Sequence, residues 1–87
     1  MKGHVSLVGA GPGDPGLLTR RGEHCLAAAD VVVHDYLVPV RLLEGVRSDA
    51  EVIRIGRSHD DPDRLSQEAI EALLIDRARA GKTVVRL

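Results

Sequence analysis

The feature that most restricts this chain is a glycine-rich loop, Gly9-Ala10-Gly11-Pro12-Gly13-Asp14-Pro15-Gly16, set directly after the short apolar run His4-Val5-Ser6-Leu7-Val8. A run this short, rich in valine and closed by glycine, reads as a strand. The segment behind the loop reads as a helix over residues 17–29, because Leu18, Gly22, Cys25, Leu26 and Ala29 recur at helical spacing and Asp30 ends the run. Glycine inside a helix costs about 1 kcal/mol relative to alanine, so Gly22 points to close packing against a sheet. Strand, glycine turn and helix in this order open an α/β domain.

The rest of the chain repeats the alternation. Val31-Val32-Val33-His34 is apolar on both faces, as the interior of a parallel sheet requires. Pro39 starts a short helical stretch to about Glu44, with Gly45 as its stop. Glu51-Val52-Ile53-Arg54-Ile55 reads as a third strand ended by Gly56, and residues 57–65 form a polar loop carrying Asp60, Asp61, Pro62 and Asp63. Ser66 stands where an N-cap belongs, Ile70, Leu73, Leu74 and Ala78 line one helix face, and Gly81 occupies the C-terminal left-handed position. Thr83-Val84-Val85-Arg86-Leu87 is a fourth strand. The expected fold is therefore α/β, a mostly parallel sheet of about four strands joined by right-handed crossovers.

Composition narrows the function classes. Eighty-seven residues make one small domain, and 44% hydrophobic with 29% charged residues is ordinary for a folded chain. A net charge of −1, with Tyr36 as the one aromatic residue, supplies neither a basic stripe nor stacking platforms, so no nucleic-acid partner is expected. No apolar run approaches the ~20 residues of a membrane span, and Met1-Lys2-Gly3 leads directly into the first strand, so no membrane partner and a cytoplasmic location are expected. Cys25 is the single cysteine, and the four histidines lack ligand spacing, so neither a disulfide nor a metal is expected. A cation site near His59, Asp60 and Asp61 is the weaker reading of what is expected to be a solvated loop.

Gly11, Gly13 and Gly16 fit the spacing G-x-G-x-x-G, and Asp35 follows the second strand, which together suggest a dinucleotide site. Pro12 and Pro15 remove two backbone N–H groups that a pyrophosphate would use, and Asp14 adds a negative charge. The glycines would also serve a bare strand-to-helix turn. Three readings stand at this level: an enzyme segment, a Rossmann-type nucleotide-binding module, and a small assembly protein.

Residues 5–19, VSLVGAGPGDPGLLT, resemble the opening signature of the tetrapyrrole methylases, and most of all the uroporphyrinogen-III C-methyltransferase pattern V-x-L-V-G-A-G-P-G-D-P-x-L-L-T. The similarity continues through residues 29–38, ADVVVHDYLV, and resumes at Ile55-Gly56, at Ser66-Gln67-Glu68 with Ile70, and over residues 81–87. It implies S-adenosylmethionine as methyl donor, a reduced tetrapyrrole such as uroporphyrinogen III as acceptor, and a cleft between two α/β domains. Siroheme and cobalamin supply are the pathways it implies. By position, the resemblance places Gly11, Pro12, Gly13 and Asp14 at the donor, makes Asp35 the proton acceptor, and puts Arg57 where the family has a proton-donating lysine. Burial at a strand end would tune the Asp35 carboxyl, which would otherwise only cap a turn. A guanidinium is a poor acid, so Arg57 is expected to anchor an acceptor carboxylate or to pair with Asp60 or Asp61. His34 and Tyr36 replace the family's tyrosine and arginine, and the loop after Ser58 departs from its pattern.

On this resemblance residues 1–87 are the N-terminal domain. The family's next loop, glycine–glycine–aspartate–proline, and its second domain are not in the chain. Two expectations follow: the chain alone is inactive, and a homodimer covers its exposed sheet edge.

Overall fold

A computed structural model describes residues 3–9 and 18–87. The elements, in chain order, are strand β1 (His4–Leu7), helix α1 (Arg20–Ala28), β2 (Val31–His34), a 3₁₀ segment (Val40–Gly45), β3 (Glu51–Arg54), α2 (Gln67–Arg79) and β4 (Thr83–Arg86). The strands form one parallel sheet in the order β1-β4-β2-β3. The expected α/β architecture with four parallel strands is therefore what the chain adopts.

Local chemistry sets the helix ends. The Thr19 hydroxyl accepts the Gly22 N–H at 3.0 Å, so α1 starts at Arg20, later than the expected residue 17. Ala29, not Asp30, is its C-cap. Asp30 works across the sheet instead. One carboxylate oxygen accepts the Thr83 N–H at 2.8 Å and the other accepts from Arg47 at 2.9 Å. The Ser66 hydroxyl caps α2 through the Ala69 N–H at 3.1 Å. Gly81 follows α2 with φ 85°, the left-handed conformation expected of it. The segment after Pro39 is a 3₁₀ turn that contains Gly45 and is capped by Val46, so Gly45 does not stop it.

Side-chain alternation sorts the core into two layers. Val32 and Val85 face α1 and the 3₁₀ segment, packing with Leu26, Ala29 and Leu87, while Val38, Leu43 and Val46 flank them. Val31, Val33 and Val84 face α2, where they meet Ile55 and Ile70 with Leu65, Leu73 and Leu74 alongside. Each valine so buried contributes roughly 1.5 kcal/mol or more of hydrophobic stabilisation. β2 is covered on both faces, whereas β1 is an edge strand on which Leu7 is 79% exposed.

The strand order has a consequence for binding. The connection after β2 runs to the α1 face, through Val38 and Leu43. The connection after β3 runs to the opposite face, through Leu65 into α2. Neighbouring strands whose following loops part to opposite faces leave a crevice at their carboxyl ends, the place where open parallel sheets bind ligands.

Candidate functional site

Asp35 stands at that crevice, immediately after β2. Its two carboxylate oxygens accept a forked pair of hydrogen bonds from Arg64: Nη1 to Oδ1 at 2.9 Å and Nη2 to Oδ2 at 2.8 Å. Oδ1 also accepts the Tyr36 N–H at 2.7 Å, and the Asp35 carbonyl accepts the Val38 N–H at 3.2 Å. Asp35 thus closes the turn after β2 while presenting its carboxylate to the opposite loop. The hydrogen bonds from Arg64 hold this carboxyl below the usual aspartate range, against burial, which pushes it up; the Tyr36 N–H and the charge of Arg86 add to the lowering. Burial is present, as expected, and the arginine outweighs it.

Arg64 belongs to the polar loop between β3 and α2, and nothing in the sequence reading singled it out. The loop is folded to deliver it. The Asp61 carboxylate accepts the N–H groups of Arg57 at 2.8 Å and Asp63 at 2.9 Å. The Arg64 N–H bonds the Asp61 carbonyl at 3.1 Å, and the Leu65 N–H bonds the carbonyl of Ile55, just past β3, at 3.0 Å. Gly56 leaves room for the Arg64 stem: a Cβ there would lie 3.0 Å from Cγ and 3.1 Å from Cβ of Arg64. The guanidinium stands over the Tyr36 ring, 5.6 Å from its centroid, a distance at which ring and cation attract.

Arg57 also lies at the carboxyl end, just past β3, and its side chain is exposed. Its backbone N–H, not its guanidinium, reaches Asp61. Among the described residues its guanidinium forms no ion pair, so the expected pairing with Asp60 or Asp61 is not made. Asp35 and Arg57 are thus brought to adjacent strand ends, on the two sides of the crevice. Arg86 ends β4 at the same level and donates to the Leu87 carbonyl at 2.7 Å. The buried ring of His34 places Nδ1 3.1 Å from the Asp35 carbonyl oxygen.

Gly11, Pro12, Gly13 and Asp14 lie outside the described residues. β1 is followed by Val8, whose N–H continues the sheet bonding to the Arg86 carbonyl at 2.9 Å, and then by Gly9. Among the described residues, nothing lies within 4 Å of a Cβ placed on Gly9. A groove of about 370 Å³ runs there, lined by Val8, Gly9, Thr19 and Gly22 among others. Among the described residues no cluster of three or more histidines, cysteines or carboxylates is placed to hold a metal, and no helix is long and apolar enough to cross a membrane.

Residues 4–87 match the family model of the Tetrapyrrole (Corrin/Porphyrin) Methylases, and the chain belongs to that family. It is 52% identical over 88 residues to siroheme synthase 1 of Klebsiella pneumoniae subsp. pneumoniae, a match covering 98% of this chain and 18% of that protein. Among solved structures it is similar to uroporphyrin-III-C-methyltransferase from Thermus thermophilus, with 41% identity and a TM-score of 0.82 over 100% of this chain and 35% of that one. A structure of that name complexed with S-adenyl homocysteine also matches, at 41% identity and a TM-score of 0.74, covering 98% of this chain and 32% of that one. The chain therefore spans about a fifth of the length of the curated relatives it matches. Family membership separates the methylase reading from the dinucleotide one, as Pro12, Asp14 and Pro15 suggest.

Proposed function

We propose that this chain is the N-terminal domain of an S-adenosylmethionine-dependent C-methyltransferase acting on uroporphyrinogen III, in siroheme or cobalamin synthesis. The observation that carries the reading is Asp35: in a chain of this family, a carboxylate stands ionised at the mouth of the crevice where the sheet's loops part. Bound S-adenosylmethionine supplies an electrophilic methyl group on a sulfonium. When the acceptor carbon takes that methyl, the carbon–sulfur bond breaks with its electron pair left on sulfur. The methylated macrocycle, left with the positive charge, then sheds a proton from another position.

In this reading Asp35 accepts that proton. Arg57, charged at any ordinary pH and turned to solvent, anchors a carboxylate of the acceptor. Gly11, Pro12, Gly13 and Asp14 bind the donor. The protein works as a homodimer, and the exposed edge of β1 supports a covering partner.

The test uses the whole protein that carries this segment. Calorimetry is expected to show binding of S-adenosylhomocysteine and none of NAD. Methyl transfer to uroporphyrinogen III is expected to fall at least about a hundredfold in Asp35→Asn, the order of magnitude of a lost general base. The 87-residue chain alone, holding one wall of the site, is expected to transfer nothing. NAD binding without S-adenosylhomocysteine binding, or turnover by the isolated chain, would refute the reading.

A further inference from the structure

The five ion pairs among the described residues are not evenly distributed. Those of Arg47 with Asp30 and Asp49, and of Arg77 with Glu51 and Asp76, gather at the amino ends of the strands, around the loop before β3 and the end of α2. The Arg64–Asp35 pair stands apart from them at the carboxyl end, and it alone crosses the crevice. It is also half-sheltered, with side-chain exposures of 31% for Arg64 and 21% for Asp35. A pair in that position is poorly explained as a surface tie.

We propose that Arg64 is the positioning residue of this site, bridging the loops after β2 and β3 and holding the Asp35 carboxylate in one orientation toward the crevice. The role rests on Asp35 as proton acceptor, as proposed above. Both carboxylate oxygens are engaged by the guanidinium fork, and Oδ1 is engaged a second time by the Tyr36 N–H, so rotation of the carboxylate is blocked. The guanidinium is fixed in turn by the Tyr36 ring beneath it, by its stem against Gly56, and by the Asp61 turn that shapes its loop. Lysine, a point charge on a flexible stem, would not reproduce the planar fork.

Among the described residues, the charged and titratable groups around Asp35 are Arg64 from the β3–α2 loop, Arg86 from β4, and Tyr36 and His34 from its own segment. Both arginines keep the carboxylate ionised. Arg64 is the one that bonds it, so the clamp sets the lower end of the pH range in which Asp35 can accept a proton.

The test is a carbon-13 NMR titration of the Asp35 carboxyl in the 87-residue chain, read without any turnover. The wild-type carboxyl is expected to titrate below the ordinary aspartate range. Arg64→Gln is expected to raise its midpoint toward the ordinary aspartate range, with Arg64→Lys between the two. In the whole protein, the acid limb of kcat/KM is expected to move upward in the same order. An unchanged Asp35 midpoint in both variants, with the amide spectrum of the folded sheet retained, would overturn the proposal. If Arg64→Gln does not fold, Arg64→Lys decides it alone. A shifted midpoint in a protein whose Asp35→Asn form still transfers methyl groups would leave the clamp standing and remove the function assigned to Asp35.

Discussion

Gly45 and Gly56 offer one substitution with two opposite expected results. Among the described residues only Gly81 has a positive φ, so neither Gly45 nor Gly56 needs glycine for its backbone conformation. Replacing glycine by alanine at such a position restricts the unfolded chain and stabilises the fold by about 0.4–1 kcal/mol. At Gly45 nothing lies within 4 Å of the added Cβ, so the full gain is expected. At Gly56 the new methyl group would press on the Cβ and Cγ of Arg64, at 3.1 and 3.0 Å.

Those atoms cannot swing aside cheaply. They lie next to a backbone bonded to the Asp61 carbonyl, and the guanidinium beyond them is forked onto Asp35. Overpacking of this kind costs about 1–3 kcal/mol. Set against the same chain-restriction gain, it leaves Gly56→Ala destabilised by about 1 kcal/mol, and the two variants about 2 kcal/mol apart. Urea unfolding followed by far-ultraviolet circular dichroism resolves a difference of that size. If Gly56→Ala proves as stabilising as Gly45→Ala, the Arg64 stem does not pack over Gly56. The account of how Arg64 is delivered to Asp35 would then be wrong.

Two further outcomes follow from the same structure. Ile70 is 4% exposed and Ile75 is 50% exposed on the same helix, so Ile70→Ala is expected to cost about 2–5 kcal/mol and Ile75→Ala no more than about 1 kcal/mol; equal losses in urea unfolding would contradict the two-layer core. Asp30, Asp35, Glu51 and Asp61 are all held below their ordinary values, chiefly by the Thr83 N–H, Arg64, Arg77 and the Arg57 N–H respectively. A depressed folded-state value means stability that is fully present above the unfolded value and is lost as pH falls through the folded one. The urea midpoint is therefore expected to hold from neutral pH down to about pH 5 and to drop below about pH 4, and a midpoint that rises on acidification would refute the assignment.

The sequence by itself determined the elements and the end of the sheet at which Asp35 and Arg57 stand. Ser66 as a cap, Gly81 as a left-handed stop and the doubly apolar Val31–His34 run were legible because each depends on neighbours a few residues away. Asp35 and Arg57 were legible as strand-end residues, since alternation of strand and helix already makes the sheet parallel and puts all such ends together. The start of α1 was misplaced for a local reason, the Thr19 cap, which takes the first turn from Leu18.

What only the tertiary structure settled is which strands are neighbours. A crossover states handedness but not how many places it skips, so the order β1-β4-β2-β3 could not be read from the chain. That order puts β3 beside β2, sends their loops to opposite faces, and brings Arg64 across 29 positions to Asp35. In sequence the polar loop of residues 57–65 offers its aspartates to the Arg57 side chain; folded, Asp61 uses its carboxylate on backbone N–H groups and shapes the turn that presents Arg64. Hydrogen bonding within a turn and periodicity along an element are short-range and visible in sequence. A contact between two loops exists only once the sheet between them has been assembled.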